Sequence, residues 1–111
     1  MELERKHFAG IDMVYINGRM VSTTSWQVGE LMNDLIENGS TKMLLNLQDV
    51  EYVSSAGLRS ILVAAKLIQS NDGELRICSA REDVAKILEM SGFDSLISLH
   101  ADEAEAVAAF D

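Results

Sequence analysis

The amino-acid sequence predicts an α/β domain: a mixed, mostly parallel sheet of about five strands with about four helices. Two observations carry this expectation. Short apolar, β-branched runs alternate with longer runs whose apolar residues recur at helical spacing, and strand–helix–strand alternation implies crossover connections and parallel pairing. The chain also has no proline, no low-complexity tract and no visible repeat, so residues 1–111 read as a single domain.

At the start, Leu3–Phe8 reads as an edge strand that pairs antiparallel with a strand over about Asp12–Ile16 through the Ala9-Gly10 turn. Asn17-Gly18 follows as a second turn signal. Thr23-Thr24-Ser25 offers N-cap oxygens to a helix whose Trp26, Val28, Leu31, Met32, Leu35 and Ile36 share an apolar face, and Asn38-Gly39 closes it. Met43–Leu47 is a nearly continuous apolar run, which suits a central strand covered on both faces, with Gln48–Val53 as its exit. Ser54-Ser55-Ala56-Gly57 introduces a second helix through Leu58, Ile61, Leu62, Ala65 and Ile68, stopped at Asn71-Asp72-Gly73. Leu75–Cys78 is a strand, Asp83–Met90 a helix ended by Ser91-Gly92, Leu96–Leu99 a last strand, and Asp102–Phe110 an alanine-rich closing helix capped by Asp102.

Apolar residues make up 48% and charged residues 24%, enough to pack a core without a disulfide or metal staple. The net charge of −9, from 18 acidic and 9 basic residues, would be repelled by phosphate backbones and anionic lipid. Nucleic acid and membrane surfaces are therefore disfavoured as partners, and a basic groove on another protein is favoured. Cys78 is the lone cysteine, which fits a reducing compartment. Met1–His7 is too charged for a signal peptide, and the apolar run within Leu58–Ile68 is broken by Arg59, Ser60 and Lys66, far short of a membrane span. A cytoplasmic protein is expected.

Catalysis needs a nucleophile with a base, a carboxylate pair in a cleft, or a metal cluster. No such set is legible. His7 and His100 have no partner fixed by sequence, Cys78 reads as a small core residue, and the six methionines read as core filler. Asp49 and Glu51 are expected to face water. Metal-ligand spacing and a phosphate-binding glycine loop are both missing, so neither catalysis nor a cofactor is expected. The loop of unusual content is Asp49–Leu58, at the C-terminal end of a central parallel strand and the start of a helix, where open α/β sheets commonly meet their ligands. Unpaired N–H groups and the positive dipole end favour an anion there. Two readings of Ser55 follow: an ordinary N-cap, or a serine that itself gains the anion as phosphoserine.

Leu45–Leu58, reading Leu-Asn-Leu-Gln-Asp-Val-Glu-Tyr-Val-Ser-Ser-Ala-Gly-Leu, resembles the signature of STAS domains, the family of bacterial anti-sigma factor antagonists. Ile87–Phe93 is similar to that family's Leu-Phe-x-Met-Ser-Gly-Leu helix end, and Gly73–Cys78 to its Gly-Gly-x-Leu-x-Leu-Cys strand. The three matches lie in register over essentially the whole chain. The resemblance implies a STAS fold and partner switching: the antagonist binds an anti-sigma factor that is a serine kinase, phosphorylation weakens the complex, and a phosphatase resets it. It places the acceptor hydroxyl on Ser55, while the kinase supplies ATP, metal and base. It also implies a contact surface of Ser54, Ser55, Gly57, Leu58, Arg59 and Leu62, with Met20 and Val21 from the nearby Met20–Thr24 loop. Two departures stand out. Ser54 occupies the signature aspartate position, and Gly18-Arg19-Met20-Val21 replaces the family's Gly-Glu-(Leu/Ile)-Asp. A rival reading within the family is a constitutive binding subunit of a lipid or anion transport complex.

Overall fold

A computed structural model describes residues 1–110. Strand β1 (Glu2–Phe8) pairs antiparallel with β2 (Ile11–Met20), Phe8 lying opposite Ile11. Ala9 at φ 53 and Gly10 at φ 78 make the two-residue, left-handed turn whose twist matches that of flanking strands. From β2 the pairing is parallel, through β3 (Lys42–Val53) and β4 (Glu74–Cys78) to β5 (Ser98–His100), so the strands lie side by side in chain order.

Helices α1 (Ser25–Glu37), α2 (Ser55–Ser70) and α3 (Glu82–Met90) cover one face of this sheet. Val28 and Met32 of α1, Ile61 and Ile68 of α2, and Val84 and Leu88 of α3 join Val14, Leu45, Leu47 and Ile77 in one continuous core. Helix α4 (Glu103–Ala109) lies on the other face, where Ala106 packs with Ile11, Met13, Leu44 and Cys78. The apolar run of β3 is thus explained: Met43, Leu45 and Leu47 face three helices while Leu44 faces the fourth. The mixed sheet with four helices is the fold class the sequence predicts.

Helix α4 is pinned by polar contacts across the sheet. The Tyr15 hydroxyl donates to the Glu103 carboxylate, and the buried Asn46 amide donates to it at 3.5 Å. Burial, and then the Glu103 carboxylate, push the Tyr15 phenol up to about 12. An unfolded tyrosine ionises near pH 10, so the folded chain holds this proton more tightly. The resulting stabilisation is complete below about pH 10 and is lost as pH rises toward about 12. Denaturant titrations at stepped alkaline pH are expected to show this fall in wild type and a flatter profile in Tyr15→Phe. Burial also raises the Cys78 thiol, as suits a cysteine that fills core space.

Several sequence expectations are corrected. Asn17-Gly18 is not a turn: β2 runs on to Met20, and the register against β3 slips between Tyr15 and Asn17 and again between Gly18 and Arg19. Gly18, at φ 118, supplies the left-handed backbone this irregularity needs. Gln48–Val53 is likewise strand rather than exit. The last strand is shorter and later than Leu96–Leu99, because Phe93–Ser95 forms a 3-10 turn and leaves Leu96 exposed. Met90 is exposed rather than core filler, and Trp26 stands outside the apolar face of α1.

Candidate functional site

Helices α1 and α2 both start where β2 and β3 end, so their N-termini sit at one edge of the domain. Ser54 is the hinge between strand and helix. Its backbone is extended, its N–H donates to the Met20 carbonyl at 2.8 Å, and its Oγ accepts from the Gly57 N–H at 3.3 Å. Ser54 is therefore the N-cap of α2, and Ser55 is not, which corrects the capping alternative read from sequence. Ser55 is the first helical residue, exposed, and its hydroxyl has no hydrogen-bond partner among the described residues. The neighbouring helix-start N–H groups and dipole favour negative charge at this point.

Gly57 explains how α2 comes so close to the sheet. A Cβ built there would lie 2.9 Å from Met20 Cβ, 2.9 Å from Val53 Cγ1 and 3.0 Å from the Met20 carbonyl oxygen. Met20 is fully enclosed and Gly57 is buried, so neither meets a partner directly. Both are corrected as surface contacts: they form the floor that sets the height of Ser54 and Ser55. Ser55 and Arg59 are exposed, while Ser54, Val21, Leu58 and Leu62 are half-buried at the rim.

The loop from β2 to α1 is held by its own hydrogen bonds. Thr24 Oγ1 donates to the Arg19 carbonyl at 2.6 Å and accepts from the Val21 N–H at 3.0 Å. The Thr24 hydroxyl thus fastens the loop instead of capping α1, contrary to the sequence expectation. Trp26 Nε1 donates to the Thr23 carbonyl at 3.0 Å, fixing the exposed indole over the first turn of α1. On the opposite sheet face from Gly57, the Arg19 guanidinium stacks on Tyr52, 4.9 Å from its ring centre. Arg19, Tyr52 and Trp26 escaped the sequence reading. The first two were hidden because a strand through Asn17-Gly18 breaks a local rule, and Trp26 because helical spacing marks a face without saying where it ends.

Neither histidine serves Ser55. His7 is bonded to Asp12 at 2.9 Å beside the hairpin, at the opposite end of β2 from Met20, about 25 Å away by strand rise. His100 sits at the end of β5, 3.1 Å from Arg76 Nη1 and 3.4 Å from Glu105 of α4. Asp49 and Glu51 are exposed at the outer end of β3. Among the described residues, no helix is long and apolar enough to cross a membrane.

The ends of β2 and β3, the starts of α1 and α2 and the exposed Ser55 thus share one edge of the domain. The chain belongs to the STAS domain family, whose model matches residues 2–106. It is 30% identical to BtrV of Bordetella bronchiseptica over 110 residues, 99% of this chain and 95% of that one. It is 28% identical to an anti-sigma F factor antagonist of Paenibacillus polymyxa, covering 96% of this chain and 92% of the relative. Among solved structures it resembles an anti-sigma factor antagonist from Mycobacterium paratuberculosis with a TM-score of 0.89 at 16% identity, over 97% and 92% of the two chains. The Bacillus cell fate determinant SpoIIAA, solved in its phosphorylated form, superposes with a TM-score of 0.76 at 16% identity, over 96% and 97%.

Proposed function

We propose that this chain is a cytoplasmic anti-sigma factor antagonist that binds an anti-sigma factor with serine kinase activity and is released when Ser55 is phosphorylated. One observation carries this reading: Ser55 is exposed at the first helical position while its neighbour Ser54 does the capping. A phosphoryl group on Ser55 therefore removes no cap and meets the favourable end of the helix dipole. The fold is expected to persist while the contact surface gains about −1.5 to −2 charge. In the transfer, the Ser55 hydroxyl attacks the γ-phosphorus of ATP held by the kinase, its proton passes to a kinase base, and ADP leaves. The antagonist supplies only the acceptor, consistent with relatives that are binding regulators.

The departure at Ser54 acquires a physical meaning here. The position that the family pattern gives to aspartate is the N-cap, and a serine oxygen caps about as well. What is lost is a carboxylate beside the acceptor, so the matching kinase must read a less acidic surface. The test is to incubate the purified chain with the anti-sigma factor of the same organism and ATP, then map the phosphate by mass spectrometry. A single phosphate on Ser55, with dissociation of the complex, is expected. A stable complex that leaves Ser55 unmodified would instead support a constitutive subunit, such as one in a lipid or anion transport complex.

A further inference from the structure

We propose that the groove between α1 and α2 seats an amphipathic helix of the anti-sigma factor, with Trp26 as the anchor at the end where both helices start. This rests on the antagonist reading and extends it from one serine to a surface with a defined occupant. Glu30 and Asn33 of α1 form one wall, Arg59 and Val63 of α2 the other, around a volume of about 480 Å³. The groove is open because its floor is small: Gly29 faces Ser60 across the helix pair, and Ala64 continues the floor along α2.

Trp26, Glu30 and Asn33 lie at i, i+4 and i+7, one stripe of α1, so Trp26 continues the α1 wall beyond the groove lining toward the end where both helices start. Trp26 is 59% exposed and so is Val63. It is the only tryptophan in the chain, and its ring is already held by the bond to Thr23, so little freedom is lost on docking. Preordered tryptophans of this kind are favoured interface anchors.

Charge selects the occupant. Helix α1 carries Glu30, Asp34 and Glu37 without a basic residue, and none of the three acids has an ion-pair partner among the described residues. The complementary helix carries an apolar row for Trp26 and Val63, lysine or arginine along the side facing α1, and an acid toward Arg59 on the α2 wall. Such a ligand also suits a chain of net charge −9.

The test is calorimetric titration of wild type, Trp26→Ala, Glu30→Lys and the control Lys6→Ala, on the edge strand β1, against the anti-sigma factor of the same organism. Trp26→Ala is expected to weaken binding by at least about 30-fold. Glu30→Lys should weaken it by a factor that shrinks as salt is raised, and Lys6→Ala should match wild type. The wild-type indole emission should shift to the blue on binding. Wild-type affinity in both Trp26→Ala and Glu30→Lys, with binding still lost on phosphorylation, overturns the groove alone and leaves the antagonist reading standing. Should wild type not bind at all, both readings fall. Self-association of wild type that disappears in Trp26→Ala would assign the groove to a second copy and also overturn the proposal. If Trp26→Ala does not fold, Glu30→Lys, altered only at an exposed charge, decides.

Discussion

Replacing Gly57 with alanine is expected to destabilise the fold by about 1–3 kcal/mol, the usual range for a methyl forced into filled space. The added Cβ would lie 2.9 Å from two side-chain carbons close to the backbone and 3.0 Å from a main-chain oxygen. None of these is the free end of a flexible side chain, so relief requires α2 to lift from the sheet. Alanine would otherwise favour the helix over glycine by about 1 kcal/mol, which sets the clash against a real gain. Urea unfolding of the two proteins measures the balance, and a Gly57→Ala variant as stable as wild type would refute the close-approach account. Partner binding should fall as well, because lifting α2 moves Ser54 and Ser55 relative to the loop that ends β2. The Ser54 N–H bond to the Met20 carbonyl links the two, so one shift disturbs both halves of the surface.

Ser55→Asp is expected to fold as wild type yet bind the anti-sigma factor at least about tenfold more weakly, since like or unmatched charge at a contact costs several kcal/mol. Stability should hold because Ser54 keeps the cap and an acid in the first turn is favourable, by about 0.3–1 kcal/mol. Ser55→Ala separates charge from shape: it removes an unpartnered hydroxyl and should bind like wild type while escaping regulation. Thermal unfolding beside a binding titration reads both quantities. Equal affinity for Ser55→Asp and wild type would count against a phosphorylation switch. Equal loss in Ser55→Asp and Ser55→Ala would mean that the hydroxyl itself makes the contact.

Most of the architecture was legible because it rests on local pattern. Periodicity placed every helix near its observed bounds, and the unbroken apolar run Met43–Leu47 announced a strand covered on both faces. The Asp102 side chain caps α4 as expected, by accepting from the Glu105 N–H at 2.8 Å. Misreadings gathered where a local signal was outvoted by pairing. Asn17-Gly18 has turn chemistry, but the neighbouring β3 supplies ladder partners on beyond it, and the glycine is absorbed as an irregularity within the strand.

The sequence by itself determined the fold class, the family and the position of Ser55 at the start of a helix, because these depend on periodicity and on motifs read within a short span. It could not decide which of two adjacent serines caps that helix, since both have the same side chain and only the backbone path off β3 separates them. Nor could it show that Met20 and Gly57 form the floor of the site, that Trp26 stands exposed, or that a groove opens between two helices. Those features are relations between elements far apart in the chain, settled when α1 and α2 pack side by side on β2 and β3.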